Sequence, residues 1–257
     1  MPVTALRLMW TIMLAAQVVL EVTAAPPLTS EPDKELILGT QLVKHIEERD
    51  GRLQDAAISN YVQDLAKKLA VATFASPLDV RITGSPDQYA TLLPRHILYV
   101  SSGLMLRTET EGELAAILAH GAAHSATTHL PHANQPMSVV WSFGNCVLSS
   151  PVVPLGWASN LRTAEVQANA VAVQNLRSAH YDPVSLFVVL SKLAYEHAGW
   201  EKALVSDDLE AARGIVESEL APGEGYITDT SRFVAIHEKL EQIAGKPRQS
   251  NVTLLRY

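Results

Sequence analysis

Residues 120 to 124 read His-Gly-Ala-Ala-His, within the stretch ELAAILAHGAAHSATTHL. Histidines four apart on a helix project from one face, so His120 and His124 can share a single metal ion. In zinc peptidases the residue after the first histidine is a glutamate, the general base that takes a proton from metal-bound water. Here that position holds Gly121. With nine histidines in 257 residues, one pair at this spacing carries little weight alone. Glu165, on a later predicted helix, adds a third donor. Two imidazoles and one carboxylate leave a fourth position open, which is the coordination of a hydrolytic zinc site. Asn169, one turn beyond Glu165, offers a side-chain oxygen to orient a ligating imidazole.

Two helices must position these residues. Thr110 and Glu113 form a capping box for the first, at about 110–128, with Leu114, Ile117 and Leu118 as its expected core face. The second spans about 160–179. Earlier helices are predicted from Ser30, with Leu36, Leu42, Val43 and Ile46 as its stripe, and from about Asp55 to Ala72, with Ile58, Val62, Leu65 and Leu69 on one face. Leu78, Val80 and Ile82 alternate as in a strand, and Ile97 to Val100 makes a second strand before Gly103. Asp182-Pro183 starts another helix, followed by helical patterns at roughly 207–220 and 231–244. The fold class is α+β, helix-dominated with a small β-sheet, and no internal repeat is visible.

A net charge of −7 argues against a nucleic-acid partner, because neutralising phosphates needs a basic surface. Cys146 is the single cysteine, so no intrachain disulfide is available. Residues 1–24 read as a signal peptide: Arg7, an apolar run from Leu8 to Leu20, then Val22-Thr23-Ala24 for cleavage. An uncleaved anchor is the alternative. Residues 25–30 (APPLTS) read as a linker, and 31–257 as one domain. Export without disulfides suits a bacterial periplasm. Residues 137–150 are strongly apolar but short and broken for a membrane span. They read as a buried cover near the metal site, with membrane-surface contact as the alternative.

Five collinear segments resemble the HtpX-like and CAAX-prenyl-protease-like zinc metallopeptidases, especially exported bacterial members. KELILGTQLVKHIEE resembles the family's first helix and YVQDLAKKLA its second. LLPRHILYVSSGLM is similar to its strand segment, and EGELAAILAHGAAHSATTH to its metal helix, His129 included. RTAEVQANAVAVQNL resembles the helix of the third ligand, through Arg162 and Glu165, and AHYDP the turn that follows it. The resemblance implies a zincin-like metallopeptidase domain holding one zinc ion on His120, His124 and Glu165, with Asn169 and Arg162 beside the ligands. Polypeptides, envelope-protein segments among them, would be its partners.

The departures from the family pattern gather at the same place. Gly121 replaces the glutamate base, Asn169 an aspartate, Arg95 and His96 the paired glycines before the strand, and Thr128 an arginine. The chain reads TDTSRF where exported members often have Thr-His-Pro. A positioned base contributes ~10²–10⁴-fold in rate, and glycine has nothing to replace it. Glu113 and Glu111 lie too far along the helix, though a carboxylate from a distant loop stays open as a substitute. The expectation is a zinc-retaining protein with absent or weak proteolysis that holds peptides. An active peptidase with a non-standard base and a metal-free interaction protein are the alternatives.

Overall fold

The computed structural model describes residues 31–70, 78–127, 141–144, 157–196, 210, 212–217 and 225–245. The expected signal peptide (1–24), the linker (25–30), Thr128, His129 and most of 137–150 lie outside these.

The chain opens with α1 (Glu31–Asp50) and α2 (Ala56–Ala70), then β1 (Asp79–Thr83), β2 (Tyr89–Leu93), a 3-10 turn (Pro94–His96) and β3 (Ile97–Ser101). The short α3 (Ser102–Arg107) leads into α4 (Glu111–Thr127), and β4 (Trp141–Gly144), α5 (Trp157–Ser178), α6 (Val184–Glu196) and α7 (Ser231–Ala244) follow. The strands form one sheet in the order β1-β3-β2-β4, with β1 parallel to β3, and β2 antiparallel to both β3 and β4.

Strand alternation gives the sheet two different faces. Val80, Ile82, Ala90, Leu92, Leu98 and Val100 turn toward the main core, shared with α2, α4 and α5. Leu93, Ile97 and Tyr99 turn the other way and meet Leu42, Val43 and Ile46 of α1. Local chemistry ends the elements where expected. Asp55 Oδ1 accepts from the backbone N–H groups of Ala57 and Ile58 at the start of α2, at 3.0 and 3.1 Å. Thr230 does the same for α7, accepting from Phe233. At α4, Thr110 Oγ1 accepts from the Glu113 N–H as the capping box requires, while the Glu113 carboxylate reaches back to the N–H of Glu109 rather than Thr110.

Three expectations need correction. Among the described residues the sheet has four strands, where two were read in the sequence. β2 escaped because all five of its residues are buried, so YATLL shows no polar alternation. β4 lies within the apolar 137–150 segment, whose residues 141–144 pair with β2 as an edge strand. The third correction concerns α4, expected to be amphipathic. Every residue from Glu111 to Ser125 is buried, because the helix runs between the sheet and α2 on one side and α5 and α6 on the other. Its alanines permit that close packing. Among the described residues no helix is long and apolar enough to cross a membrane.

Candidate metal centre

α4 and α5 pack along one another, and their facing sides bring the predicted donors together. His120 Nε2 lies 3.2 Å from Glu165 Oε2, and His124 Nε2 lies 3.2 Å from Glu165 Oε1. The two Nε2 atoms are 3.0 Å apart. A tetrahedral ion with bonds of about 2 Å has donor–donor edges of roughly 3.3 Å, so this triangle is close to the size a zinc ion needs. The chemistry of the set fits too: two imidazoles, one carboxylate, and no other metal-ligating side chain grouped with them among the described residues. Both histidines are only 2% exposed, whereas 21% of the Glu165 side chain reaches solvent. A bound zinc would supply a Lewis acid at the mouth of a buried site.

Burial pushes the His124 imidazole below its ordinary value, toward the neutral form that coordination requires. For Glu165, burial alone would raise the carboxyl. Its electrostatic pairing with His124 and its hydrogen bonds with both histidines outweigh that, holding Glu165 well below the usual carboxylate range. Both shifts are in the direction that favours ligation by these two groups.

Asn169 is fully buried, one turn along the same face of α5 as Glu165, and neither of its amide atoms has a hydrogen-bond partner among the described residues. An unsatisfied buried amide costs about 1–3 kcal/mol, so its retention beside the donors is consistent with a partner in a loaded site. Arg162 lies on α5, nearly one turn before Glu165.

The adjacent face of α4 carries Gly121 and, one turn on, Ser125. A Cβ added at Gly121 would stand 2.9 Å from Leu98 Cδ2 and 3.3 Å from Cδ1, so the leucine fills the room a side chain there would use. Ser125 Oγ is hydrogen-bonded to His96 Nδ1. Both contacts come from β3 and the turn before it, a juxtaposition the sequence could signal only through the missing glycines at 95 and 96. Arg95 and His96 adopt left-handed backbone, with φ of 66° and 60°. Glycine would suit both positions.

The other buried carboxylates of α4 are committed at its far end. Glu113 accepts from Lys192 Nζ at 2.8 Å, and Glu111 accepts from the Tyr181 hydroxyl at 3.0 Å. Neither is available as a substitute base. His45 and His180 are exposed, and His237 pairs with Glu241, so none joins the site.

Residues 52–206 match the model of peptidase family M48, a span that takes in β1 to β3 and both metal-bearing helices. The chain belongs to peptidase family M48. These are zinc metallopeptidases, and the His/His/Glu group sits on the two helices within the matched span. The chain is also 22% identical over 244 aligned residues to a Vibrio cholerae protein named as a beta-barrel assembly-enhancing protease. That alignment takes in 79% of this chain and 49% of the relative, so the chain spans about half the relative's length.

Proposed function

We propose that this M48 chain holds one zinc ion on His120, His124 and Glu165 and has given up peptidase turnover, retaining the scaffold to bind polypeptide segments. The observation that carries this reading is Gly121, buried against Leu98 where a base would stand, while the other buried carboxylates of the same helix, Glu111 and Glu113, are paired at its far end. Holding a metal does not need that glutamate, whereas activating water does. Asn169 would orient a ligating imidazole, while the side chain of Arg162 lies outside those described.

Peptide binding needs backbone groups at a strand edge rather than a base, and among the described residues β4 is an edge strand of the sheet. Envelope proteins are the proposed clients, supported by the name of the Vibrio cholerae relative. Export to a bacterial periplasm belongs to the same proposal and rests on the leader-like residues 1–24. The test is a zinc determination beside a casein-hydrolysis assay on the pure protein. Stoichiometric zinc, lost in His124→Ala, with no hydrolysis above a metal-free control is the expected result. Hydrolysis by the wild type that disappears in His120→Ala would overturn the reading.

A further inference from the structure

Residues 228–233, TDTSRF, depart from the family pattern, and their first two residues meet the start of the metal helix. α4 opens with backbone N–H groups that have no partner inside the helix. The N–H of Glu111 donates to Asp229 Oδ1 at 2.9 Å, and that of Gly112 to the Thr228 carbonyl at 3.4 Å. A carboxylate cap suits the positive end of a helix. The same stretch of chain is itself held. The Ile227 N–H donates to the His180 carbonyl at 2.8 Å, and Thr230 caps α7. Tyr181, next to His180, donates its hydroxyl to the Glu111 carboxylate at 3.0 Å. Residues 227–230 thus clasp the start of α4 to α7 and to the turn between α5 and α6.

The clasp acts where side-chain packing holds the helix least. Helices keep their axial register through side-chain ridges seated in a neighbour's grooves. From Ala119 to Ala126 α4 carries no apolar side chain larger than a methyl group, so its ridges are shallow around both histidines. A slip of about 1.5 Å, one residue's rise, is about half the 3.0–3.2 Å that separates the donor atoms. Polar bonds at the two ends fix what the alanines leave loose. Asp229 and Thr228 hold the start of α4, and the Ser125–His96 bond holds it near the end. We propose that Asp229 is a positioning residue for the candidate metal centre: by capping α4 it sets the axial seat of His120 and His124 opposite Glu165. The proposal rests on those three residues forming the site.

Asp229 is exposed, so truncating it opens no cavity in the core. The experiment compares Asp229→Ala, Asp229→Asn and Lys239→Ala in the full chain. Lys239→Ala breaks the 2.7 Å ion pair between α7 and Asp55 and leaves the caps of α4 in place. Amide hydrogen exchange and the ring-nitrogen NMR signals of His120 and His124 are read on metal-free protein, and zinc affinity then by chelator competition. In Asp229→Ala, exchange at Glu111 and Gly112 should rise at least about tenfold, and both ring signals should move. Zinc should bind about tenfold more weakly. Asp229→Asn keeps the acceptor oxygen and should restore most of each. Ring signals that stay put in Asp229→Ala, or move equally in Lys239→Ala, would overturn the positioning role and leave a fold anchor. Unchanged exchange at Glu111 would overturn the cap itself. A wild type that takes up no zinc would sink the metal reading alone, because the ring signals are read without metal.

Discussion

Gly121 matters to packing as well as to the proposed loss of a base. Glycine inside a helix costs roughly 1 kcal/mol relative to alanine, so alanine would ordinarily stabilise α4. Here the added methyl would press into Leu98, itself fully buried in the main core. Overpacking of this kind costs about 1–3 kcal/mol, which outweighs the gain in helix propensity. Gly121→Ala should therefore lower stability by about 1 kcal/mol in urea unfolding, and a double-mutant cycle with Leu98→Val should show favourable coupling. Additive effects would mean that the leucine simply swings aside. The same contact argues that Gly121→Glu alone recovers little peptidase activity. Asn169 makes the complementary case. Its buried amide finds no partner among the described residues, so Asn169→Ala should leave metal-free stability nearly unchanged. Zinc affinity in a competition with a chromophoric chelator should fall ~10–100-fold.

At the level of elements, the site is a joint between α4 and α5 closed on one side by β3 and its preceding turn. That turn carries strain the sequence announces. Arg95 and His96 occupy backbone suited to glycine, and relieving the first should help, since the Arg95 side chain is exposed. Arg95→Gly is expected to raise the urea midpoint by the equivalent of about 1 kcal/mol. His96→Gly should gain less because it also gives up the hydrogen bond to Ser125. A bound metal would make the joint a structural link. Zinc that binds only the folded chain stabilises by about 2.7 kcal/mol when free zinc is 100 times its dissociation constant. Chelation should lower the melting temperature of wild type and leave that of His124→Ala unmoved. Glycine matters differently at Gly103, where β3 hands over to α3. A Cβ there would lie 2.0 Å from the Pro86 carbonyl oxygen, so that close approach admits no side chain.

Across the whole molecule, buried tyrosines tie the layers together. Tyr99 bonds Glu47 of α1, Tyr89 bonds Asp50 at the end of that helix, and Tyr181 bonds Glu111 at the start of α4. Burial pushes all three hydroxyls up, with Tyr61 alongside them, and Tyr99 rises to about 12. The unfolded chain releases these protons at about pH 10, before the folded one does. Their contribution is therefore complete below pH ~10 and is lost as pH rises from there through the folded values. The urea midpoint should drop between about pH 9 and pH 11.5, and Tyr99→Phe should reduce that drop. The sequence by itself determined the candidate donor types, the two helices that bear them, the family and the glycine at position 121. Each of these is written in local spacing: i and i+4 on a helix, a capping box, and a glycine in a known register. Four facts belonged to tertiary structure alone. Strand β2 hid because it is buried on both faces, and α4 is enclosed on every side. Leu98 fills the space at Gly121, and His120, His124 and Glu165 meet within 3.2 Å of one another. The physical reason is common to all four. Burial and proximity depend on neighbours distant in sequence, and only packing α4 against β3 and α5 decides which neighbours those are.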